Sequence, residues 1–338
     1  MSEDGSSGAN ASDNEGITRR RVLLAGGTSL AAIGGGRALY NTTLGYGQFG
    51  RGTNLEAQDL PSVVTEHLSP RYDEEIEGTQ VQADGNAVFV GETDWLTFDE
   101  GTSREAAELD AEFGLDDRLR SLFDDLSAFH AGEYTFEFHQ PSGFFDRFDD
   151  GEPRREVVTA IRRYADRTVD PAIVEQFTGT DPSDVAELVA GLTEGFRKHT
   201  SYDVPRYLAG SIEDNVIFGA ADLREHFEDD VTFEALLESE GTGIFCWELV
   251  YRSIEGFQAL RPTRQSIPVA ACYVSDRRHK HAFTGLLSAL RVDGELRLPM
   301  TFLDYTHSTL YDDVRVTRIL GEGLAAYDDG HRADEVYW

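Results

Sequence analysis

Apolar residues recur at helical spacing through much of the second half of the chain. Leu249, Val250, Ile254, Phe257 and Leu260 form one such stripe, which opens at Cys246 after a short glycine-bearing loop, Gly241-Thr242-Gly243-Ile244-Phe245. Val185, Leu188, Val189, Leu192 and Phe196 form another, with Asp181 as its cap and Pro182 in its first turn. Shorter helices are predicted over residues 157–164, 171–177, 223–227 and 233–237. In the first half, Leu119, Leu122, Phe123, Leu126 and Phe129 predict a helix within 115–130. Alternation predicts a strand over 134–138 and, within 80–98, a hairpin about Asp84-Gly85-Asn86. The segment 141–153 reads as a surface connection and a regional boundary, although its Phe144, Phe145 and Phe148 could line a cleft.

Residues 281–304 alternate around Asp293-Gly294, the strongest short-range hairpin signal. Setting Val292 opposite Glu295 places His281 opposite Thr306 and Asp304 opposite Phe283. His281 and Asp304 are then diagonal neighbours on one face, within reach of each other. The same face carries Phe283, Leu287, Ala289, Leu298, Met300 and Phe302, and it is expected to pack on the helix that Cys246 opens. Pro299 cannot donate to a ladder, so it marks a place where a bulge would shift the register.

Charge changes the picture most. The chain of 338 residues has 62 acidic against 30 basic side chains, a net of -32, and its only lysines are Lys198 and Lys280. Self-repulsion of that size points to a protein working in high salt, and it excludes a nucleic-acid partner, because a duplex or an anionic membrane would repel it. Residues 1–16 are polar and acidic; Arg19-Arg20-Arg21 and a short Gly/Ala-rich apolar run over 22–33 follow. Residues 1–39 therefore resemble a twin-arginine export signal, either cleaved or kept as an anchor, the one route by which this chain would meet a membrane. An accessory α+β region over 40–150 and a catalytic domain over 154–338 complete the division.

Only two cysteines are present, so an exported chain would carry no disulfide framework. Cys272, in an apolar strand, reads as a small buried residue. Cys246 has two readings, a core residue or a nucleophile. A helix N-terminus favours the second, because unpaired N–H groups and the helix dipole stabilise a thiolate and supply a donor to a developing oxyanion. His281 would then be general base and acid, with Asp304 fixing its tautomer. A metal site of His279, His281, Asp304 and His307 is the competing reading. The register turns His307 to the opposite face, so neither a metal nor any other cofactor is expected.

These residues resemble the transglutaminase-like branch of the papain-like cysteine enzymes. Cys246-Trp247 matches the nucleophile at a helix start, Ser266-Ile267-Pro268-Val269-Ala270 a Gly-Ile-Pro-Ala-Arg-like strand, His281-Ala282-Phe283 a His-Ala-Trp-like strand start, and Leu303-Asp304-Tyr305-Thr306 a Leu-Asp-Pro-Thr-like strand end. The resemblance implies an α+β fold in which a helical lobe packs the nucleophile helix on an antiparallel sheet. It also implies a Cys246, His281, Asp304 triad; for an exported chain the expected substrates are peptide or protein amides, by hydrolysis rather than cross-linking because water is abundant and no acyl-acceptor site is visible. Trp247, Asn215 and Tyr207 are its candidate oxyanion or substrate contacts. Ser266, Ala270 and Tyr305 depart from the family pattern and leave the substrate open. Arylamine N-acetyltransferases share the order of the triad, and Cys246-Trp247-Glu248-Leu249 is similar to their Cys-x-Glu-Leu motif. A non-catalytic surface module on the same fold is the alternative.

Overall fold

A computed structural model describes residues 58–84, 87–91, 94–97, 103–139, 141–149, 151–163, 169–203, 206, 231–238, 241–277, 281–305 and 333–338. The chain divides into two compact units, Met1–Leu44 with Pro205–Phe227 and Gly45–Val204 with Glu228–Trp338. Every described residue except Arg206 belongs to the second. The expected export signal, the helix expected over 223–227, and Tyr207 and Asn215 lie outside the described residues.

Helix α1 (Leu60–Thr65) precedes an antiparallel meander of β1 (Arg71–Ile76), β2 (Thr79–Asp84), β3 (Ala87–Val90) and β4 (Asp94–Thr97). Asp84 pairs with Ala87, so the hairpin expected about Asp84-Gly85-Asn86 is present. Helices α2 (Ser103–Phe113) and α3 (Arg118–Ala131), strand β5 (Tyr134–Phe138), α4 (Pro141–Asp146), β6 (Glu152–Pro153) and α5 (Arg155–Ile161) follow. The expected surface connection is thus largely helical. Phe144 is fully buried there, with Phe145 and Phe148 edge-on to it at 5.1 and 5.5 Å.

Next come α6 (Pro171–Thr178), α7 (Val185–His199), β7 (Thr200–Tyr202), α8 (Phe233–Glu238), β8 (Thr242–Ile244) and α9 (Cys246–Gln258). The cap of α7 is not Asp181 but Asp184, whose carboxylate accepts the Glu187 N–H at 3.2 Å. Asp181 accepts the Ser183 N–H at 2.8 Å in a turn just before. Both aspartates have cap chemistry, and sequence pattern alone does not rank them.

The remaining strands are β9 (Ala270–Asp276), β10 (His281–Leu287), β11 (Leu290–Val292), β12 (Glu295–Leu303) and β13 (Glu335–Tyr337). They build a large sheet in the order β13-β9-β10-β12-β11-β6, antiparallel throughout, to which β5 adds by pairing in parallel with β12. Val292 faces Glu295 and Thr284 faces Leu303, the register set by the Asp293-Gly294 turn. Both turn residues have positive φ, 51° and 85°, as a type I′ turn needs. Pro299 shifts nothing, and its carbonyl accepts the Ser288 N–H at 3.0 Å.

The large sheet is covered on both faces. Ala270, Cys272, Val274, Phe283, Leu287, Leu298 and Met300 share one core with α1, α3, α5 and the meander. Ala271, Ala282 and Leu286 share the other with α6, α7, α8 and α9. The face of Phe283, Leu287, Ala289, Leu298 and Met300 therefore packs away from the Cys246 helix, a correction to the sequence expectation. Every residue of β10 is buried and apolar side chains stand on both of its faces, Phe283 and Leu287 on one and Ala282 and Leu286 on the other, so the pattern cannot tell one cover from the other. The regions expected as accessory (40–150) and catalytic (154–338) share this sheet and its first core. Two carboxylates bind them together, Asp125 buried and Glu137 half-buried. Asp125 of α3 lies between Arg154 at 2.6 Å and Arg291 at 2.8 Å, and Glu137 of β5 between Arg147 at 2.7 Å and Arg297 at 2.6 Å. Two guanidiniums around each carboxylate offset the desolvation that burial imposes.

Candidate active site

Strand β8 runs parallel to β7 and delivers the chain to the start of α9. The expected glycine loop is therefore partly strand, entered through Gly241 at φ 78°. Gly243 is required by a close approach, since a Cβ there would lie 2.6 Å from the Asp203 carboxylate. Phe245 is extended at φ -106° and ψ 165°, and its N–H donates to Glu248 Oε2 at 2.7 Å. That bond is the carboxylate half of a capping box, and it fixes the turn through which the chain enters the helix. Cys246 occupies the first helical position, partly exposed, where N–H groups lack intrahelical acceptors and the dipole is positive.

The helix is pinned along its length. Ser253 Oγ and Thr284 Oγ1 of β10 are 2.5 Å apart, and Gln258 Nε2 donates to the Ala271 carbonyl at 3.2 Å. Beyond its C-terminus, Arg162 donates to the Leu260 carbonyl at 2.6 Å, and Arg155 donates to those of Pro262 and Gln265 at 2.7 and 2.6 Å. Arg162 also donates to the carbonyl of Gln258, the last residue of the helix, so one orphan carbonyl at the helix end finds a cationic donor.

His281 begins β10 and Asp304 follows β12, both beyond the last ladder pair of those strands, Thr284 with Leu303. His281 Nε2 and Asp304 Oδ2 are 2.8 Å apart, with side chains 2% and 4% exposed. The Cys246 thiol also acts on the ring, by hydrogen bond and by charge. Burial lowers the imidazole pKa, but Asp304, by charge and hydrogen bond, and then Cys246 outweigh it and push the value up to about 10. The charged form of the ring is thereby favoured at neutral pH, with the Asp304 carboxylate on Nε2.

The three residues that sequence spacing singled out are thus brought together. Trp247 stands beside them, 43% exposed and edge-on to Tyr251 at 6.1 Å. Cys272 is fully buried in β9, and burial pushes its thiol pKa up. His279, Lys280, Thr306 and His307 lie outside the described residues. Among the described residues no group of three or more His, Cys, Asp and Glu could hold a metal ion, and no helix is long and apolar enough to cross a membrane. Sequence reading missed the inward turn of Glu248, which is 4% exposed, although its place at the third helical position was a signal. It also missed the Arg155 and Arg162 anchors, which no local pattern marks. Comparison with protein-family models, with curated proteins and with solved structures gives no match.

Proposed function

We propose that this chain is a cysteine acyltransferase or hydrolase of amide bonds, of the transglutaminase-like, papain-like kind. One observation carries the reading: a buried His281–Asp304 pair, 2.8 Å between Nε2 and Oδ2, acts on a partly exposed thiol at the first position of a helix. Cys246, its proton already resident on the His281 imidazolium, attacks the carbonyl carbon as the thiolate, while first-turn N–H groups of α9 face the developing oxyanion. Collapse breaks the carbon–nitrogen bond, and the amine leaves with the proton from His281. Water then attacks the thioester as its proton passes to the now neutral His281, and the thiolate leaves as the acid forms, which restores the ion pair. Asp304 holds the imidazole in the orientation both half-reactions use.

The Cys246-Trp247, His281-Ala282 and Leu303-Asp304 motifs support peptide or protein amides as the substrate class, with hydrolysis preferred where water is the abundant acceptor. The basic run at Arg19-Arg20 and the net charge of -32 support an exported protein that works in high salt. The test does not require the natural substrate. In molar KCl, p-nitrophenyl acetate should give a burst of one p-nitrophenolate per chain, with the acetyl group found on Cys246 by peptide mass spectrometry. Cys246→Ala should abolish the burst, and His281→Ala should slow it by about a hundredfold or more. Acylation no faster than that of free cysteine at the same pH would overturn the assignment.

A further inference from the structure

A row of aromatic rings leaves the nucleophile and crosses the edge of the large sheet. Trp247 adjoins Cys246, and Tyr251 follows one helical turn later, 6.1 Å away between ring centroids. Tyr251 meets Tyr273 of β9 at 5.6 Å, and Tyr273 meets its cross-strand partner Tyr337 of β13 at 6.3 Å. Tyr337 stacks on His67, just past α1, at 5.3 Å and 7°. Among the described residues three large hydrophobic side chains are exposed, and two of them, Trp247 and Tyr337, belong to this row. Rings concentrated on one stretch of surface mark a place where something docks.

Charge and spacing say what it is. Carboxylates border the far end of the row: Glu66 is exposed beside His67, and Glu335 accepts the Tyr337 hydroxyl at 2.6 Å. Among the described residues, the guanidinium of Arg277, just past β9, is held by Glu335, with Nε–Oε2 at 3.0 Å. Ring faces and adjacent carboxylates together select cations. Neighbouring rings recur at 5.3 to 6.3 Å. Alternate side chains of an extended peptide recur at about 6.6 to 6.8 Å, close to that interval. We propose that the row docks an extended polypeptide with basic side chains at alternate positions, laid from His67 to Trp247 so that its amide reaches Cys246. The docking surface stands on these residues alone; that the docked chain is the acyl donor rests on the function proposed above.

The Cys246→Ala protein tests the row without the chemistry. A fluorescein-labelled peptide of five Lys-Ser repeats should raise its anisotropy on binding in molar KCl, and one of five Glu-Ser repeats should bind at least about tenfold more weakly. Trp247→Ala and Tyr337→Ser, added singly, should each weaken the Lys-Ser peptide by about tenfold at unchanged melting temperature. Phe89→Ala, at the exposed position outside the row, should change nothing. Equal affinity for both peptides, indifference to both aromatic substitutions, or displacement by cellopentaose in preference to unlabelled peptide would overturn the proposal. Binding retained where the unmodified protein gives no acetylation burst sinks the reaction and keeps the docking surface. A burst without peptide binding does the reverse.

Discussion

Cys246 and Cys272 sit in neighbouring elements, α9 and β9, yet their surroundings differ in every respect that matters to sulfur. Cys272 lies mid-strand with no exposure, in contact range of Gly285 and Met300, and burial drives its thiol toward the neutral form. Cys246 lies partly open at a helix start, with an imidazolium supported by Asp304 beside it. Residue type is identical, so the difference comes from backbone position and from the charge of the neighbours. A thiol becomes a nucleophile where donors and a cation converge on it, and a methyl-sized filler where they do not.

The sharpest way to break that contrast is to remove the orienting carboxylate. Asp304→Asn should lower turnover of the acetyl-enzyme by about 10³- to 10⁴-fold, because the imidazole loses its tautomer and charge support. Alkylation of Cys246 by iodoacetamide should fall far less, and Cys272 should stay unlabelled until the protein is unfolded. Equal losses in both assays would mean that Asp304 acts on the thiol rather than on the ring.

The second effect is on stability, and its sign follows from the raised imidazole pKa. A folded-state value of about 10 against an unfolded value near 6.5 means that the pair stabilises the protein fully below about pH 6.5, with the contribution lost as pH rises through about 10. Urea midpoints measured between those limits should fall by about a few kcal/mol in free energy. Asp304→Asn should flatten the curve; a midpoint that climbs with pH would contradict the ion pair.

Smaller still is the effect of crowding the inert thiol. A Cβ at Gly285 would lie 2.5 Å from Cys272 Sγ and 2.9 Å from Met300 Cε, so Gly285→Ala should cost about 1 to 3 kcal/mol in thermal unfolding. Adding Cys272→Ala should recover part of it, and alkylation of Cys246 should not change in either variant. The least is expected of Glu248→Gln, which leaves Phe245 N–H an acceptor but removes a first-turn charge. A loss of about 0.3 to 1 kcal/mol is expected. A fall in acylation rate beyond about tenfold would show that this carboxylate takes part in the chemistry.

Much of the site was legible because two local signals are strong. Asp293-Gly294 fixes a type I′ hairpin, so the separation of His281 and Asp304 follows from counting along the strands. The stripe from Leu249 to Leu260 fixes a helix, so Cys246 falls at its start. Which face of the sheet meets that helix was not legible, because β10 is buried on both sides and its apolar residues carry no direction. Nor was the sharing of one sheet by residues on either side of 150. Strand β6 spans two residues and β13 three, too few for any periodicity, and the partner of β5 lies far along the chain. The row ending at Tyr337 and His67 depends on those same distant pairings.

The parallel pairing of β5 with β12 also sets an order of events. Tyr134 must wait for Leu296, emerging well over a hundred residues later, before the middle of the sheet can close. Contacts of such separation form slowly, since the entropy of closing the intervening chain is lost before they add stability. The hairpin holding His281 and Asp304 is local and can form early, but its first-core cover includes β5, whose pairing waits on that late closure. The His281–Asp304 pair can therefore be made locally, while the packing behind its sheet is completed last.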